Sequence, residues 1–236
     1  MQLYNATTGA LVNGAIATSG QLGAPDGLAI SGGALFASGS TSGNIAQFNA
    51  TTGALMNASF VTGLSEPESM AVSGNSLYVL NVGSASVSVY NATTGATVNA
   101  SLVGGLNSGP QFIAVAGNSL LVTNIAANNV SQFDATTGAV INASFISGLD
   151  SPTGLAVAGN SLYVVFDGSV TAANYGQIGQ YDVTTGAAIN AALMVLAPSD
   201  PRGIAVVAIP EPSAAAAALA SLACLGWARR RHAATG

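Results

Sequence analysis

The chain has 236 residues, half of them apolar, which is enough for the core of one large all-β domain or of two small ones. Only 6% of the residues are charged, and Arg202 is the only basic residue before position 229, which excludes the basic surface that nucleic-acid binding requires. The single cysteine, Cys224, and the single histidine, His232, lie near the C-terminus, so the rest of the chain has no disulfide, no Cys/His metal site and no histidine for general-base catalysis.

A repeated unit begins in the first residues of the chain. The string Thr-Thr-Gly occurs five times, with spacings of 42 to 48 residues between its glycines. An aromatic residue precedes each glycine by five positions, and an asparagine follows it by four. The glycines are Gly9, Gly53, Gly95, Gly138 and Gly186; the aromatic residues are Tyr4, Phe48, Tyr90, Phe133 and Tyr181; the asparagines are Asn13, Asn57, Asn99, Asn142 and Asn190. A period of this length is typical of a repeat protein.

Two further motifs recur and predict the strands of each unit. Pro-x-x-apolar-Ala-Ile/Val begins at Pro25, Pro67, Pro110, Pro152 and Pro201, and Gly-Asn-Ser-Leu begins at Gly74, Gly117 and Gly159, with a degenerate copy at Gly32. In the third unit, apolar runs between Gly, Asn and Ser predict strands at 112–116, 119–123, 129–134 and 139–146. Four such strands with short turns need about 40 residues, which matches the period.

The residues before each Thr-Thr-Gly predict a tight turn between the third and fourth strands. Asn5, Asn49, Asn91, Asp134 and Asp182 each carry a side-chain oxygen that can accept backbone N–H groups just ahead, and the glycine can take the positive φ that closes a hairpin. Asn-x-Thr is also a glycosylation sequon. Two of the five copies are aspartate, which cannot be glycosylated, and this favours the turn.

A four-stranded unit with this period predicts a blade of an all-β β-propeller, with five blades in residues 1–209. Met1 aligns with the start of a third strand, and residues 203–209 form a first strand with no partner after it. The two ends can therefore share one blade whose second strand is missing. We expect that this closing blade is incomplete, or that the sequence is part of a longer propeller.

The three motifs together resemble NHL-type propeller repeats over residues 1–209. The pattern is Pro-x-Gly-Leu-Ala, as at Pro152, then Gly-Asn-Ser-Leu-Tyr-Val, as at Gly159, then aromatic-Asp-x-Thr-Thr-Gly, as at Tyr181. The pattern is also similar to propellers of the gluconolactonase and streptogramin-lyase kind. The resemblance implies the fold rather than an activity.

The last 27 residues, 210–236, form a segment of different composition. Pro210, Glu211 and Pro212 precede an uncharged alanine-rich run at 213–228, which predicts a helix of about 24 Å, and Arg229, Arg230 and Arg231 follow. The run is short for a membrane span, and the arginines favour a cytoplasmic end. The alternative is a helix that packs on the repeats, but the run has no polar face.

This order of motif, apolar helix and arginine cluster resembles the PEP-CTERM sorting signal. The resemblance implies a membrane-inserted precursor, an exosortase-type sorting protease as partner, and delivery to the cell surface or extracellular matrix of a Gram-negative-type bacterium. Such proteins carry an N-terminal signal peptide, whereas Met1–Asn5 reads as a strand. We therefore expect a misassigned start or a truncated sequence.

Candidate binding residues follow the motif prolines. Asp26, Glu68, Gln111, Thr153 and Arg202 are expected near the mouth of the central channel, with Glu66 and Asp200 before their prolines; Asn81, Asn124 and Asp167 come after second strands. Asp26, Glu68, Asn81, Asn124 and Asp167 could supply oxygen ligands to Ca²⁺, but Asp and Asn are also ordinary turn residues, which is the interpretation we favour. The longer loop at 167–175, which contains Tyr175, is either a binding loop or a tolerated insertion.

The sequence favours a non-enzymatic structural or binding module with no catalytic residues and no cofactor. Its rims, rich in Thr, Ser and Asn, suit an exopolysaccharide or surface glycan as partner. One alternative is a metal-dependent, lactonase-like hydrolase that uses the channel carboxylates. The other alternative is a truncated fragment without function.

Overall fold

The computed structural model describes residues 3–4, 9–14, 16, 22–106, 109–167, 176–195 and 204. These residues belong to one compact unit, Met1–Ala205. They form four four-stranded antiparallel sheets, one two-stranded sheet and a single turn of 3₁₀-helix. Within this described part of the chain, no helix is long and apolar enough to cross a membrane. The predicted tail at 210–236 lies outside it.

Each four-stranded sheet is one blade of a β-propeller, with its strands in chain order. The two-stranded sheet pairs β1 (Leu3–Tyr4) with β2 (Leu11–Asn13). Blade 1 is β3 (Pro25–Ser31), β4 (Ala34–Gly39), β5 (Asn44–Asn49) and β6 (Leu55–Thr62); blade 2 is β7 (Pro67–Ser73), β8 (Ser76–Asn81), β9 (Ser86–Asn91) and β10 (Thr97–Val103). Blade 3 is β11 (Pro110–Ala116), β12 (Ser119–Asn124), β13 (Asn129–Asp134) and β14 (Val140–Ser147); blade 4 is β15 (Pro152–Ala158), β16 (Ser161–Phe166), β17 (Gln177–Asp182) and β18 (Ala188–Val195). The 3₁₀ turn is Val82–Ser84.

These strands confirm the predicted all-β propeller, and in blade 3 they start and end within two residues of the prediction. Four complete blades are described. Of the predicted fifth blade, the described residues include β1, β2 and Ile204.

The first strands of successive blades lie side by side, and the core lies between facing sheets. Each blade presents apolar side chains from its second and third strands to the first and second strands of the next blade. The residues are Phe36 and Ile45 against Met70 and Leu77, then Tyr78 and Val87 against Ile113 and Leu120, then Leu121 and Val130 against Leu155 and Leu162. Because each buried side chain of this size contributes about 1.5–3 kcal/mol, these layers hold neighbouring blades together.

The predicted turn is confirmed in all four blades. In blade 3, Asp134 Oδ1 accepts the N–H groups of Thr136 and Thr137 at 2.9 and 2.7 Å, and Gly138 has a φ of +74°. Asn49, Asn91 and Asp182 make the same pair of bonds. Asn5 lies outside the described residues.

The fourth strand of each described blade carries a bulge that the motifs do not predict. In blade 2 the pairing moves from Asn99 opposite Val89 to Val103 opposite Val87, so the outer strand has two extra residues. Asn99 Oδ1 accepts the N–H of Ser101 at 3.0 Å, and Ser88 Oγ donates to the carbonyl of Ala100 at 2.8 Å. The recurring asparagine after each turn therefore provides a side-chain partner for the backbone of the bulge. The same asparagine bond occurs at Asn57, Asn142 and Asn190.

Candidate functional site

The first strands of the blades line a common axial cavity of about 430 Å³. Its apolar wall comes from the same position of each proline motif, three residues after the proline. The residues at this position are Leu28, Met70, Ile113, Leu155 and Ile204. Phe112 and Ser69 complete much of the remaining wall. The volume of this cavity lies within the range of small-molecule sites.

A polar cleft of about 200 Å³ shares Asp26 and Phe112 with this cavity. It is lined by Asp26, Glu68, Gln111 and Phe112. Asp26, Glu68 and Gln111 each follow the motif proline of their blade, so the structure brings together three of the residues that the sequence places at the channel mouth. Thr153, the equivalent residue of blade 4, is buried, and Arg202 lies outside the described residues.

A larger cleft of about 610 Å³ lies between the loops of blades 1 and 2. Its lining is Ser40, Thr41, Ser42, Gly43, Leu64, Ser65, Glu66 and Glu68. Glu68 belongs to both polar clefts. The hydroxyl-rich loop was not singled out from the sequence, although the run Ser38-Gly-Ser-Thr-Ser-Gly43 has no counterpart in the other units.

The backbone positions Glu66 at the rim of this cleft. Glu66 has a φ of +50°, an uncommon conformation for a residue other than glycine. In that conformation its carbonyl accepts the N–H of Val82 at 3.0 Å, and thus joins the start of blade 2 to the end of its second strand. Ala24, Gly109 and Ser151 occupy the same position in the other blades with positive φ, so the conformation belongs to the repeat.

Asn81 and Asn124, two of the five candidate calcium ligands, are the last residues of their second strands and are buried. Asn124 Nδ2 donates to Asn129 Oδ1 at 2.8 Å and to Ser131 Oγ at 2.9 Å. Asn81 Nδ2 donates to Ser88 Oγ at 2.9 Å, and its Oδ1 is buried without a hydrogen-bond partner. Both amides thus bond within their own blades, and neither residue is among those that line the cleft of Asp26 and Glu68.

Asp167 directly follows β16, and its N–H donates to the carbonyl of Asp150 at 3.0 Å. It does not line that cleft either. The rest of the predicted loop, with Tyr175, lies outside the described residues. Across the described ranges, no three His, Cys, Asp or Glu side chains are grouped so that they could hold a metal ion.

No protein-family model matches the chain, and no curated protein matches it. Solved structures do match its fold. Hydrazine synthase of Kuenenia stuttgartiensis is similar with a TM-score of 0.58 at 20% identity, over 74% of this chain and 50% of that one. A chain of a nidogen/laminin complex is similar with a TM-score of 0.58 at 13% identity, over 78% of this chain and 68% of that one. The computationally designed Ika8 protein is similar with a TM-score of 0.53 at 17% identity, over 75% of this chain and 53% of that one.

The likeness is one of fold. This chain spans about half the length of the hydrazine synthase chain that it matches. At these identities the comparisons support the β-propeller and carry no activity to this protein, because one fold hosts many unrelated functions.

Proposed function

We propose that this protein is an exported β-propeller of a bacterium, delivered to the cell surface or extracellular matrix, where it acts as a non-enzymatic binding or structural module. The sequence of the tail supports delivery. Pro210, Glu211 and Pro212, the apolar run 213–228 and the cluster Arg229–Arg231 stand in the order of a PEP-CTERM signal. An exosortase-type protease is the partner that would remove the tail from a membrane-inserted precursor.

The observation that carries the binding role is the cleft of about 610 Å³ between the loops of blades 1 and 2. The hydroxyls of Thr41 and Ser65 can both donate and accept hydrogen bonds, and the carboxylate of Glu66 accepts them. The hydroxyls of Ser40 and Ser42 bond within the chain, to the carbonyl of Ala24 and to Asn44 Oδ1, and hold the loop in place. A chain of sugar hydroxyls needs this mixture of partners. The volume of the cleft is within the range of small-ligand sites. An exopolysaccharide or surface glycan is therefore the ligand that we propose.

The propeller that we propose has five blades. The antiparallel pairing of β1 with β2 and the positive φ of Gly9 are like those of the third and fourth strands and their turn glycines in the four described blades, which supports a place for β1 and β2 as outer strands of a fifth blade. Asn13 Nδ2 in β2 donates to the carbonyl of Thr52 in the turn of blade 1 at 3.3 Å. The fifth proline motif, at Pro201, would supply its first strand.

Delivery is tested by the intact mass of the protein from its native cells. A C-terminus near Pro210–Pro212 is expected, and a mass that retains Arg229–Gly236 would contradict sorting.

Glycan binding is tested by titrating the protein with exopolysaccharide purified from the same cells. Glu66→Gln combined with Thr41→Ala should weaken binding at least tenfold. Thr51→Ala, in the turn at the other end of β5, should leave the affinity unchanged.

A second candidate is a metal-dependent, lactonase-like hydrolase, because Asp26 and Glu68 line one cleft with Gln111. Carboxylate and amide oxygens are the ligands that Ca²⁺ prefers. Calorimetric titration with Ca²⁺ separates the two candidates. Saturable binding that Glu68→Gln abolishes would favour the hydrolase. If Ca²⁺, Zn²⁺ and Mg²⁺ all fail to bind, the hydrolase is contradicted and the binding module is favoured.

A further inference from the structure

In three of the four described blades, the recurring asparagine of the outer-strand bulge is followed two residues later by a serine. Each of these segments matches Asn-x-Ser/Thr, the acceptor sequence for N-linked glycosylation. They are Asn57-Ala-Ser59, Asn99-Ala-Ser101 and Asn142-Ala-Ser144, and we call them the outer-strand sequons. They are distinct from the Asn-x-Thr strings of the turns. Blade 4 has Asn190-Ala-Ala192 at this position and lacks the hydroxyl.

The bulge accounts for the asparagine of each sequon but not for its serine. Asn99 Oδ1 accepts the N–H of Ser101 at 3.0 Å, and Asn190 Oδ1 accepts the N–H of Ala192 at 3.2 Å. The pairing of the outer strand shifts in the same way in blade 4 as in the other blades. The bulge therefore forms with alanine in place of serine.

The serine hydroxyls contribute little to the fold. Within the described part of the chain, those of Ser59 and Ser101 have no hydrogen-bond partner. The Ser144 hydroxyl accepts one bond, from Asn129 Nδ2 at 3.2 Å. In a sequon, the hydroxyl two residues after the asparagine is part of what the glycosyl-transferring enzyme recognises. Glycosylation thus gives these serines a function that the fold does not.

The outer-strand sequons are accessible. Their strands, β6, β10 and β14, are each the last strand of a blade sheet. The asparagine, alanine and serine of each sequon are exposed. In blade 2 the pairing passes from Asn99 opposite Val89 to Val103 opposite Val87, so Ser101 falls between the paired positions. The asparagine Oδ1 is turned to the backbone, and its Nδ2 has no partner among the described residues.

We infer that Asn57, Asn99 and Asn142 are sites of N-linked glycosylation. The donor is an oligosaccharide carried on a lipid diphosphate. Nδ2 forms a bond to the anomeric carbon of the first sugar, the bond from that carbon to the diphosphate oxygen breaks, and Nδ2 loses one proton. The lipid diphosphate leaves, and nothing is oxidised or reduced. The inference rests on the proposed export, because sequon glycosylation belongs to secreted proteins, but not on the glycan-binding cleft.

A glycan at these positions covers apolar surface that the fold leaves exposed. Each sequon directly follows one or two large apolar side chains that are 41–64% exposed; these are Leu55 and Met56, Val98, and Val140 and Ile141. Strands β6, β10 and β14 carry no charged side chain. Bulky, hydrophilic sugars on an outer strand hinder its pairing with another strand. The glycans thus supply the edge protection that charged side chains give to other sheets.

The test maps the peptides of the full chain, purified from its native cells, by tandem mass spectrometry. A glycan mass is expected on the peptides of Asn57, Asn99 and Asn142 and not on that of Asn190. Ser101→Ala should remove the glycan from Asn99 alone, because blade 4 shows that alanine is compatible with the bulge. Ala192→Ser should create a new glycan at Asn190, since it completes the sequon there.

Unmodified peptides at all three asparagines would overturn the inference, and so would a glycan that stays on Asn99 in Ser101→Ala. Sugars found only on serine or threonine hydroxyls, which mild alkali releases, would also contradict it. The same peptide map identifies the C-terminus. Bare asparagines in a chain that ends near Pro210–Pro212 would contradict glycosylation alone, whereas a chain that retains Arg229–Gly236 would contradict sorting. Failure of the inference and failure of the proposed delivery therefore give different results.

Discussion

The glycine of the blade 3 turn, Gly138, lies directly against the backbone carbonyl oxygen of Leu102 in the outer strand of blade 2. A Cβ at this position would overlap that oxygen. Gly95 lies in the same way against the carbonyl of Phe60, and Gly186 against that of Phe145. These three glycines therefore meet two requirements at once, a positive φ within the turn and close contact with the preceding blade.

Gly138→Ala should destabilise the protein by more than the cost of its backbone conformation. The left-handed φ alone costs about 1–2 kcal/mol for alanine, and the overlap with Leu102 adds to it. Gly148→Ala is the matched control, because Gly148 also has a φ of +74° but has no atom within 4 Å of its Cβ position. The two free energies of unfolding are compared by urea titration. Equal losses would show that the contact between blades contributes nothing.

Tyr78→Phe should weaken the contact between blades 2 and 3. The Tyr78 hydroxyl is buried and donates to the carbonyl of Ala135, in the turn of blade 3, at 3.0 Å. Loss of this bond should cost about 1 kcal/mol at neutral pH, measured by urea denaturation. A variant as stable as the wild type at neutral pH would mean that water replaces the bond at no cost.

The same substitution should reduce sensitivity to alkali. Burial raises the pKa of Tyr78 above its usual 10.0. The favourable contribution of the neutral phenol is complete below pH 10.0 and is lost as the pH rises through the higher folded value. The stability of Tyr78→Phe should therefore fall less steeply than that of the wild type above pH 10. Parallel curves of Tm against pH would contradict the buried environment of this hydroxyl.

Two turns carry an aspartate whose pKa is lowered, and they should make the fold sensitive to acid. Hydrogen bonds from the backbone N–H groups of Thr137 and Thr136 hold the pKa of Asp134 below its usual 3.8, and those of Thr185 and Thr184 do the same for Asp182. Their stabilisation is present above pH 3.8 and is lost as the pH falls through the lower folded values.

Asp134→Asn combined with Asp182→Asn should therefore flatten the acid limb of a plot of Tm against pH. Asparagine occupies the equivalent turn position in blades 1 and 2, where Asn49 and Asn91 accept the corresponding N–H bonds. The double variant should melt close to the wild type at pH 7. If its acid limb coincides with that of the wild type, the turns do not contribute to acid unfolding.

Replacement of the asparagine in an outer-strand bulge should promote self-association. Asn99 Oδ1 accepts the N–H of Ser101 in an exposed edge strand that carries no charged side chain to keep other strands away. Asn99→Val removes this bond and favours a regular, extended edge. Light scattering should show a larger average mass as concentration rises, whereas Val98→Ala in the same strand should not. An unchanged mass for Asn99→Val would show that the bulge has no part in edge protection.

The repeat, the strand content and the turn chemistry of this protein were all predictable from its sequence. Period-2 apolar patterns and the motifs at Pro110, Gly117 and Gly138 are local signals, because strand direction and turn conformation depend on neighbouring residues. Asp26, Glu68 and Gln111 line one cleft, and their part in binding stays a prediction. Equivalent positions of a repeat lie at the same level of a propeller, so a shared position in the motif predicts a shared location.

Only the tertiary structure decided which of the polar residues lie on a surface. Asn124 reads in the sequence as a rim residue like Glu68, yet it is buried and bonds to Asn129 and Ser131 of its own blade. The contact of Gly138 with Leu102 was equally unpredictable, because it joins two blades through a backbone carbonyl, a group that every residue carries. Local patterns specify the strands, whereas burial and contacts between blades depend on how the sheets face one another in space.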